Sequence, residues 1–309
     1  MTRAVVFPGQ GSQSVGMGKA LAEAFPVARA VFDEVDEALG QKLSDVMFEG
    51  PESDLVLTEN TQPALLSTSI AVLRVLQSEK GFVLSEQAAY VAGHSLGEYS
   101  ALCAAETFTL ADAARLVRIR GKAMQTAVPV GEGAMAALLG LEADDAEAIV
   151  LEARQGSVCD FANDNASGQV VISGSKVAVE RAIEIAKGKG AKRAVLLPVS
   201  APFHCALMHP AADVMADALA DVVMNDPVVP LVANVAAVGV TSATEVRRLL
   251  VEQVCGRVRW RESVLYLKDR GVDTLVEIGH GKVLSGMTRR IDRDMTSTNV
   301  GTPEDIAGF

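Results

Sequence analysis

The chain has 309 residues, of which 49% are apolar and only 4% aromatic. That length supports one large core and a smaller one, built mainly from Ala, Val, Leu and Ile. A net charge of −11 argues against a general nucleic-acid or anionic-membrane surface, so an anionic substrate needs a local basic pocket that works against the global field.

Four scattered cysteines, Cys103, Cys159, Cys205 and Cys255, form no C-x-x-C pair. They suit a reducing compartment and exclude the usual zinc spacings. A strand-like run at Arg3–Phe7 leaves no room for a signal peptide, and no uninterrupted apolar stretch reaches spanning length. A cytoplasmic location is expected.

Along the chain, short apolar strand candidates alternate with helical patterns, which points to an α/β fold with a largely parallel sheet. Ala4–Phe7 leads into a Gly-rich loop, Pro8–Gln13. Ala64–Gln77 reads as a buried helix. Ala89–Ala92 reads as a strand running into Gly93-His94-Ser95-Leu96-Gly97, with a helix from about Glu98. Thr109–Gln125 is a further helix, capped by Thr109 and stopped before Pro129.

From about Val130 to Pro198 the elements change character. A strand at Ala134–Leu141 and a helix at Asp144–Arg154 come first. Strands at Val158–Asn163 and Gln169–Ser173 follow, joined by Asp164–Gly168. A helix at Val177–Lys189 and a strand at Ala194–Pro198 complete the order β-α-β-β-α-β. That is the ferredoxin-like pattern, here inserted into a larger unit. The expected division is residues 1–128 with 199–309 as the large subdomain and 129–198 as the small one. Leu275–Ile278 then reads as another strand, and Gly279-His280-Gly281 turns into a closing helix, Lys282–Ile291.

Gly93-His94-Ser95-Leu96-Gly97 is a G-x-S-x-G sequence directly after a strand and before a helix. A nucleophile elbow demands that context, because the turn is too tight for side chains at the flanking positions. It would lift the Ser95 hydroxyl out at the sheet edge and place the Leu96 N–H to stabilise an oxyanion.

A serine nucleophile needs a base, and the chain has four histidines. His94 lies inside the elbow and points away from its neighbour. His280 sits in a Gly-His-Gly turn, and His209 precedes Pro210 at a helix start. His204, in the irregular segment Val199–His204, remains. No acidic residue between Ser95 and His204 offers itself as a third member, and a backbone carbonyl could orient the Nδ1–H instead.

A helical wheel of Thr109–Gln125 puts Leu110, Ala113, Leu116, Val117, Ala123 and Met124 on one face. Arg120 falls in the middle of that stripe, with Arg115, Arg118 and Lys122 on the other side. Burying a guanidinium unpaired is very costly, so some anion must meet it. That anion is either a protein carboxylate or, beside an elbow serine, the carboxylate of a substrate gripped by the Arg fork. The loop Pro8–Gln13 lacks the ending of a P-loop and the spacing of a dinucleotide fingerprint. Its place after the first strand suits a wall or oxyanion role. Lys187, Lys189, Lys192 and Arg193 form a basic cluster in the small unit.

With these residues placed, the chain closely resembles the malonyl-CoA:acyl-carrier-protein transacylase family over nearly its whole length. The resemblance runs through Phe7–Gln13, Thr61-Gln62-Pro63-Ala64, Gly93–Glu98, Arg120–Gln125, Asn165 with Gly168–Gly174, Pro198–His204 and Glu277-Ile278-Gly279. It implies an α/β-hydrolase-like large subdomain carrying a ferredoxin-like small one. By resemblance, Ser95 is acylated, His204 is its base, Arg120 holds the malonyl carboxylate, and Gln10 with the Leu96 N–H forms the oxyanion hole. Gln253 lies by the active site, where a backbone carbonyl orients the histidine, and Asn165 and Phe203 belong to the substrate pocket. His280 departs from the proline common in the family at that position.

The implied substrate is malonyl-CoA and the implied partner acyl carrier protein, docking at the Lys187–Arg193 cluster or at Arg289 and Arg290. A monomer with no tightly bound cofactor and no metal is expected, acting in fatty-acid synthesis. A serine thioesterase or esterase would use the same elbow, and a non-catalytic carrier-binding protein could retain the same fold.

Overall fold

The computed structural model describes residues 2–309. Its strands, in chain order, are β1 (Arg3–Phe7), β2 (Tyr90–Gly93), β3 (Gly133–Leu139), β4 (Cys159–Ala166), β5 (Gln169–Ser175), β6 (Arg193–Leu196), β7 (Leu231–Val232), β8 (Gly239–Val240), β9 (Thr274–Ile278) and β10 (Thr296–Val300). They form two sheets. One has six strands in the order β10-β9-β1-β2-β7-β8, and the other four in the order β4-β5-β3-β6. All neighbours in the larger sheet run parallel except β7 and β8. The expected mixed α/β class, with a ferredoxin-like second sheet, is what the chain adopts.

β1 and β9 are buried along almost their whole length, as strands covered by helices on both faces must be. The parallel register pairs Phe7 with Gly93, so the carboxyl ends of β1 and β2 open side by side. Open α/β sheets bind ligands beyond such ends. The loop after β1 therefore lies against the turn after β2.

The smaller sheet is antiparallel throughout. Its helices, Ala143–Arg154 and Lys176–Gly188, cover one face and make a core of their own with residues such as Leu138, Ile149, Ile172 and Val179. The opposite face contributes Met135, Ala162 and Val171 to the main core. Val258 donates to the Ala162 carbonyl (2.8 Å) and accepts from Asp164 N (2.9 Å). Arg261 adds a charged tie to the buried Asp164.

Two sequence expectations are corrected. The join expected at Asp164–Gly168 is shorter: β4 continues through Ala166 with two register irregularities, where Asp164 is held by Val258 and Arg261, and Ser167 and Gly168 make the turn. The helix expected at Ala64–Gln77 starts earlier and spans Thr58–Lys80 with Pro63 inside it. Pro63 sits near the helix start, where its missing N–H leaves one carbonyl unpaired. The early turns are pinned from outside, Thr61 Oγ1 donating to Leu55 O (2.6 Å) and Asn60 Nδ2 to Asp54 O (2.8 Å).

The two elbow glycines are required by clearance. A Cβ on Gly93 would lie 1.9 Å from the carbonyl of Gly97, and one on Gly97 would lie 2.3 Å from the Phe7 carbonyl oxygen. The turn can thus pass directly beside β1 only without side chains. Gly97→Ala is expected to destabilise the fold by more than about 2 kcal/mol, as overpacking against rigid backbone does. Urea denaturation checks this, and an unchanged midpoint would contradict the packing described.

Candidate active site

Ser95 follows β2 and precedes the helix Gly97–Ala104, with its backbone at φ 53°. His204 follows β6 with φ 58°. Left-handed backbone in non-glycine residues is strained by roughly 1–3 kcal/mol each, and it persists where surrounding contacts fix it. At Ser95 those contacts come from Asn234, whose Oδ1 accepts from Ser95 N (2.7 Å) while its Nδ2 donates to Gly93 O (2.7 Å). Near His204, the Asp160 carboxylate of β4 accepts from Ala206 N (2.9 Å).

The two side chains meet. Ser95 Oγ donates to His204 Nε2 at 2.8 Å. The other ring nitrogen donates to backbone carbonyls, Gln253 O at 2.9 Å and Gly256 O at 3.1 Å. Two acceptors at Nδ1 fix the tautomer with the lone pair on Nε2. Among the described residues no carboxylate bonds to this ring, in line with the missing acid in the sequence. Burial, assisted by the nearby Arg120 charge, depresses the His204 pKa to about 3. The ring is therefore neutral and able to accept the serine proton.

Arg120 is 1% exposed. Its Nη1 donates to Gln62 Oε1 (2.9 Å), and its Nη2 to Gln253 Oε1 (2.8 Å) and Ser95 Oγ (3.1 Å). The ring of Tyr99 lies 5.7 Å from the guanidinium carbon. Among the described residues no Asp or Glu pairs with it within 4 Å, and its Nε has no partner. The fork is buried next to the serine, held by neutral amide oxygens.

The other expected site residues gather around the same cavity, of about 440 Å³, lined among others by Gln10, Leu96, Asn165 and Phe203. No described backbone carbonyl accepts the Leu96 N–H. Asn165 Oδ1 accepts from His94 Nε2 (2.8 Å), which points that imidazole toward β4 and away from Ser95. Burial lowers the His94 pKa. Gln253 lies behind Arg120 and is fully buried. His280 stands apart from the chemistry: its Nε2 and Ser14 Oγ are 2.8 Å apart, closing the loop after β1 onto the turn after β9.

Three residues at the site escaped the sequence reading. Gln62, Glu98 and Asn234 are all buried polar groups. Gln62 and Glu98 fall within the segments that carry the family resemblance, which was the available signal for those two; Asn234 had none. Glu98 accepts at Oε2 from Gln253 Nε2 (2.8 Å) and Asn234 N (3.2 Å). Burial raises its pKa to about 7 against the pull of those hydrogen bonds and of Arg120.

A hydroxyl bonded to a neutral imidazole, free N–H groups beside it and a buried cationic fork can together form and break an acyl ester on a carboxylated acyl group. Comparison with known proteins agrees. Residues 4–305 match the acyl transferase domain family. The chain is 48% identical to the malonyl CoA-acyl carrier protein transacylase of Escherichia coli (strain K12), over 98% of this chain and 97% of that protein.

The chain belongs to the malonyl CoA-acyl carrier protein transacylase family.

Solved structures of this transacylase family superpose closely. An acyl-carrier-protein-S-malonyltransferase from Bartonella henselae is 56% identical with a TM-score of 0.98, covering 100% of this chain and 98% of that one. A malonyl-transacylase in complex with its type II PKS acyl-carrier protein is 45% identical with a TM-score of 0.96, covering 99% and 98%. Among the described residues no helix is long and apolar enough to cross a membrane, and no cluster of His, Cys, Asp or Glu is placed to hold a metal ion.

The His204 depression has a sign that can be checked. Between about pH 6.5 and 3 the unfolded chain binds a proton that the native ring refuses, so this group makes stability fall as pH falls through that window. In an NMR titration the His204 imidazole signals are expected to stay put from pH 8 to about pH 5, well above the value its burial sets. An inflection near the ordinary histidine value would contradict the site described.

Proposed function

We propose that this chain transfers the malonyl group of malonyl-CoA to the phosphopantetheine thiol of acyl carrier protein through a malonyl ester on Ser95, supplying fatty-acid synthesis. The observation that carries the reading is Arg120, buried within hydrogen-bond reach of Ser95 Oγ and, among the described residues, paired with no carboxylate.

In the first half-reaction Ser95 Oγ gives its proton to His204 Nε2 and attacks the thioester carbon. The N–H groups of Gln10 and Leu96 receive the oxyanion; losing one such donor costs about 3–4 kcal/mol. The tetrahedral intermediate collapses with cleavage of the C–S bond, and the CoA thiolate takes the proton from His204. In the second half-reaction His204 deprotonates the carrier's thiol, which attacks the malonyl ester and releases Ser95 with its proton restored. Arg120 binds the malonyl carboxylate bidentately, and Asn165 and Phe203 shape the acyl pocket. An acetyl group leaves the buried charge unpaired, and a site built for a polar group rejects analogues lacking it.

The carrier's docking surface has two candidates. Lys187 and Lys189 are each engaged, with Glu184 and Glu152, whereas Arg289 lines a concavity with Arg293. Asp294 lines that concavity too, and Arg290 donates to Gln169 (2.9 Å), so both regions stand as candidates for an acidic partner.

Arg120→Ala is expected to lower malonyl transfer by about 10³- to 10⁴-fold while acetyl transfer falls less than about tenfold. Acyl-enzyme mass spectrometry with malonyl-, methylmalonyl- and acetyl-CoA reads this, and equal losses for malonyl and acetyl would remove the carboxylate assignment. Ser95→Ala is expected to take up no acyl group; a mass shift on malonyl-CoA in that variant would place the nucleophile elsewhere. Free malonate formed at the same rate with and without acyl carrier protein would mark a hydrolase instead.

A further inference from the structure

A buried acid on the helix that follows Ser95 has no role in the transfer described above. Glu98, 1% exposed, sits on the first turn of the helix after Ser95. Its Oε2 accepts from Gln253 Nε2 at 2.8 Å and from Asn234 N at 3.2 Å. Gln253 Nε2 also donates to the Ser95 carbonyl (2.9 Å), which leaves Gln253 Oε1 to accept from Arg120 Nη2 (2.8 Å). The amide thus has two acceptors on one side, a carboxylate and a carbonyl, and a guanidinium on the other. Only one of its two flip states satisfies all three.

The consequence concerns Arg120. A direct ion pair would occupy the fork that a substrate carboxylate needs. With no acid nearby, the guanidinium would be buried bare. Glu98 avoids both by acting through one intervening amide.

We propose that Glu98 is a positioning residue for acyl selectivity: it locks the Gln253 amide so that Arg120 is compensated in the resting site yet free to take a substrate carboxylate. The proposal rests on the malonyl-transfer reading above. His204 is oriented by the backbone carbonyls of Gln253 and Gly256, not by the Gln253 side chain, so the effect falls on the acyl group chosen more than on proton transfer.

Glu98→Met fills the space without an acceptor, and Glu98→Gln keeps an oxygen that Gln253 can donate to. Rates of acyl-enzyme formation from malonyl-CoA and acetyl-CoA are compared for the wild type, both variants and Arg120→Ala. Misplacing a binding group costs on the order of 10²-fold, so Glu98→Met is expected to lower the malonyl-to-acetyl rate ratio by about that factor, with the acetyl rate within about threefold of wild type. Glu98→Gln is expected to bring the ratio back to within about fivefold of wild type, because the acceptor is restored.

An unchanged ratio in Glu98→Met overturns the proposal, as do equal losses for both acyl groups or a Glu98→Gln ratio no better than that of Glu98→Met. If thermal melting shows Glu98→Met to be unfolded, Gln253→Met cuts the same relay from its other end. It must show the same loss of ratio, and a wild-type ratio there overturns the proposal equally. A wild type that is never malonylated, or an Arg120→Ala variant that keeps the ratio, brings down the transfer reading and this proposal with it. A selective wild type and a non-selective Arg120→Ala beside an indifferent Glu98→Met bring down this proposal alone.

Discussion

A guanidinium that is nearly inaccessible to water, yet paired with no carboxylate, sets the terms for everything around it. The oxygens of Gln62 and Gln253 solvate Arg120 without neutralising it, and Ser95 Oγ is a third acceptor. Dipoles make a buried charge tolerable, and they do so without occupying it as a carboxylate would. The same charge helps to hold His204 neutral and draws the Glu98 carboxylate toward ionisation against its burial. One charge in the apolar stripe of a helix thus acts both on the imidazole beside Ser95 and on the buried Glu98.

The sheet determines where that charge meets the serine. Parallel pairing of β1 and β2 brings the loop after β1 against the turn after β2, and the two elbow glycines allow the contact. Strained backbone at Ser95 and His204 is held from both sheets: Asn234 follows β7 of the large sheet, and Asp160 belongs to β4 of the small one. The cavity accordingly draws its lining from both, with Ser95 and Leu96 on one side and Met135 and Val171 on the other.

Much of this was legible in the sequence, and unevenly so. The alternating short strands gave the α/β class, and the β-α-β-β-α-β order gave the second sheet, because both depend on local hydrophobic period. The G-x-S-x-G context located Ser95, and the helical wheel located Arg120, because a charge in an apolar stripe is visible in one dimension. His204 came by elimination, and its orienting carbonyls could only be inferred from the absence of an acid. What stayed hidden depends on distant packing. The β4 strand overruns its apolar stretch because Val258 and Arg261 hold Asp164 from nearly 100 positions away in the chain. β7 and β8 have two residues each, too short for any period to register. Gln62, Glu98 and Asn234 are polar residues whose importance lies wholly in what faces them across the fold.

Selectivity depends on the relation between one acyl carboxylate and one guanidinium, and a crystal structure of the malonylated protein shows that relation directly. The malonyl group is expected as an ester on Ser95 Oγ, with both carboxylate oxygens within hydrogen-bond distance of Arg120 and the ester carbonyl turned toward the N–H groups of Gln10 and Leu96. A malonyl carboxylate directed to solvent, with Arg120 making no contact to it, would contradict the role of Arg120 in choosing the acyl group.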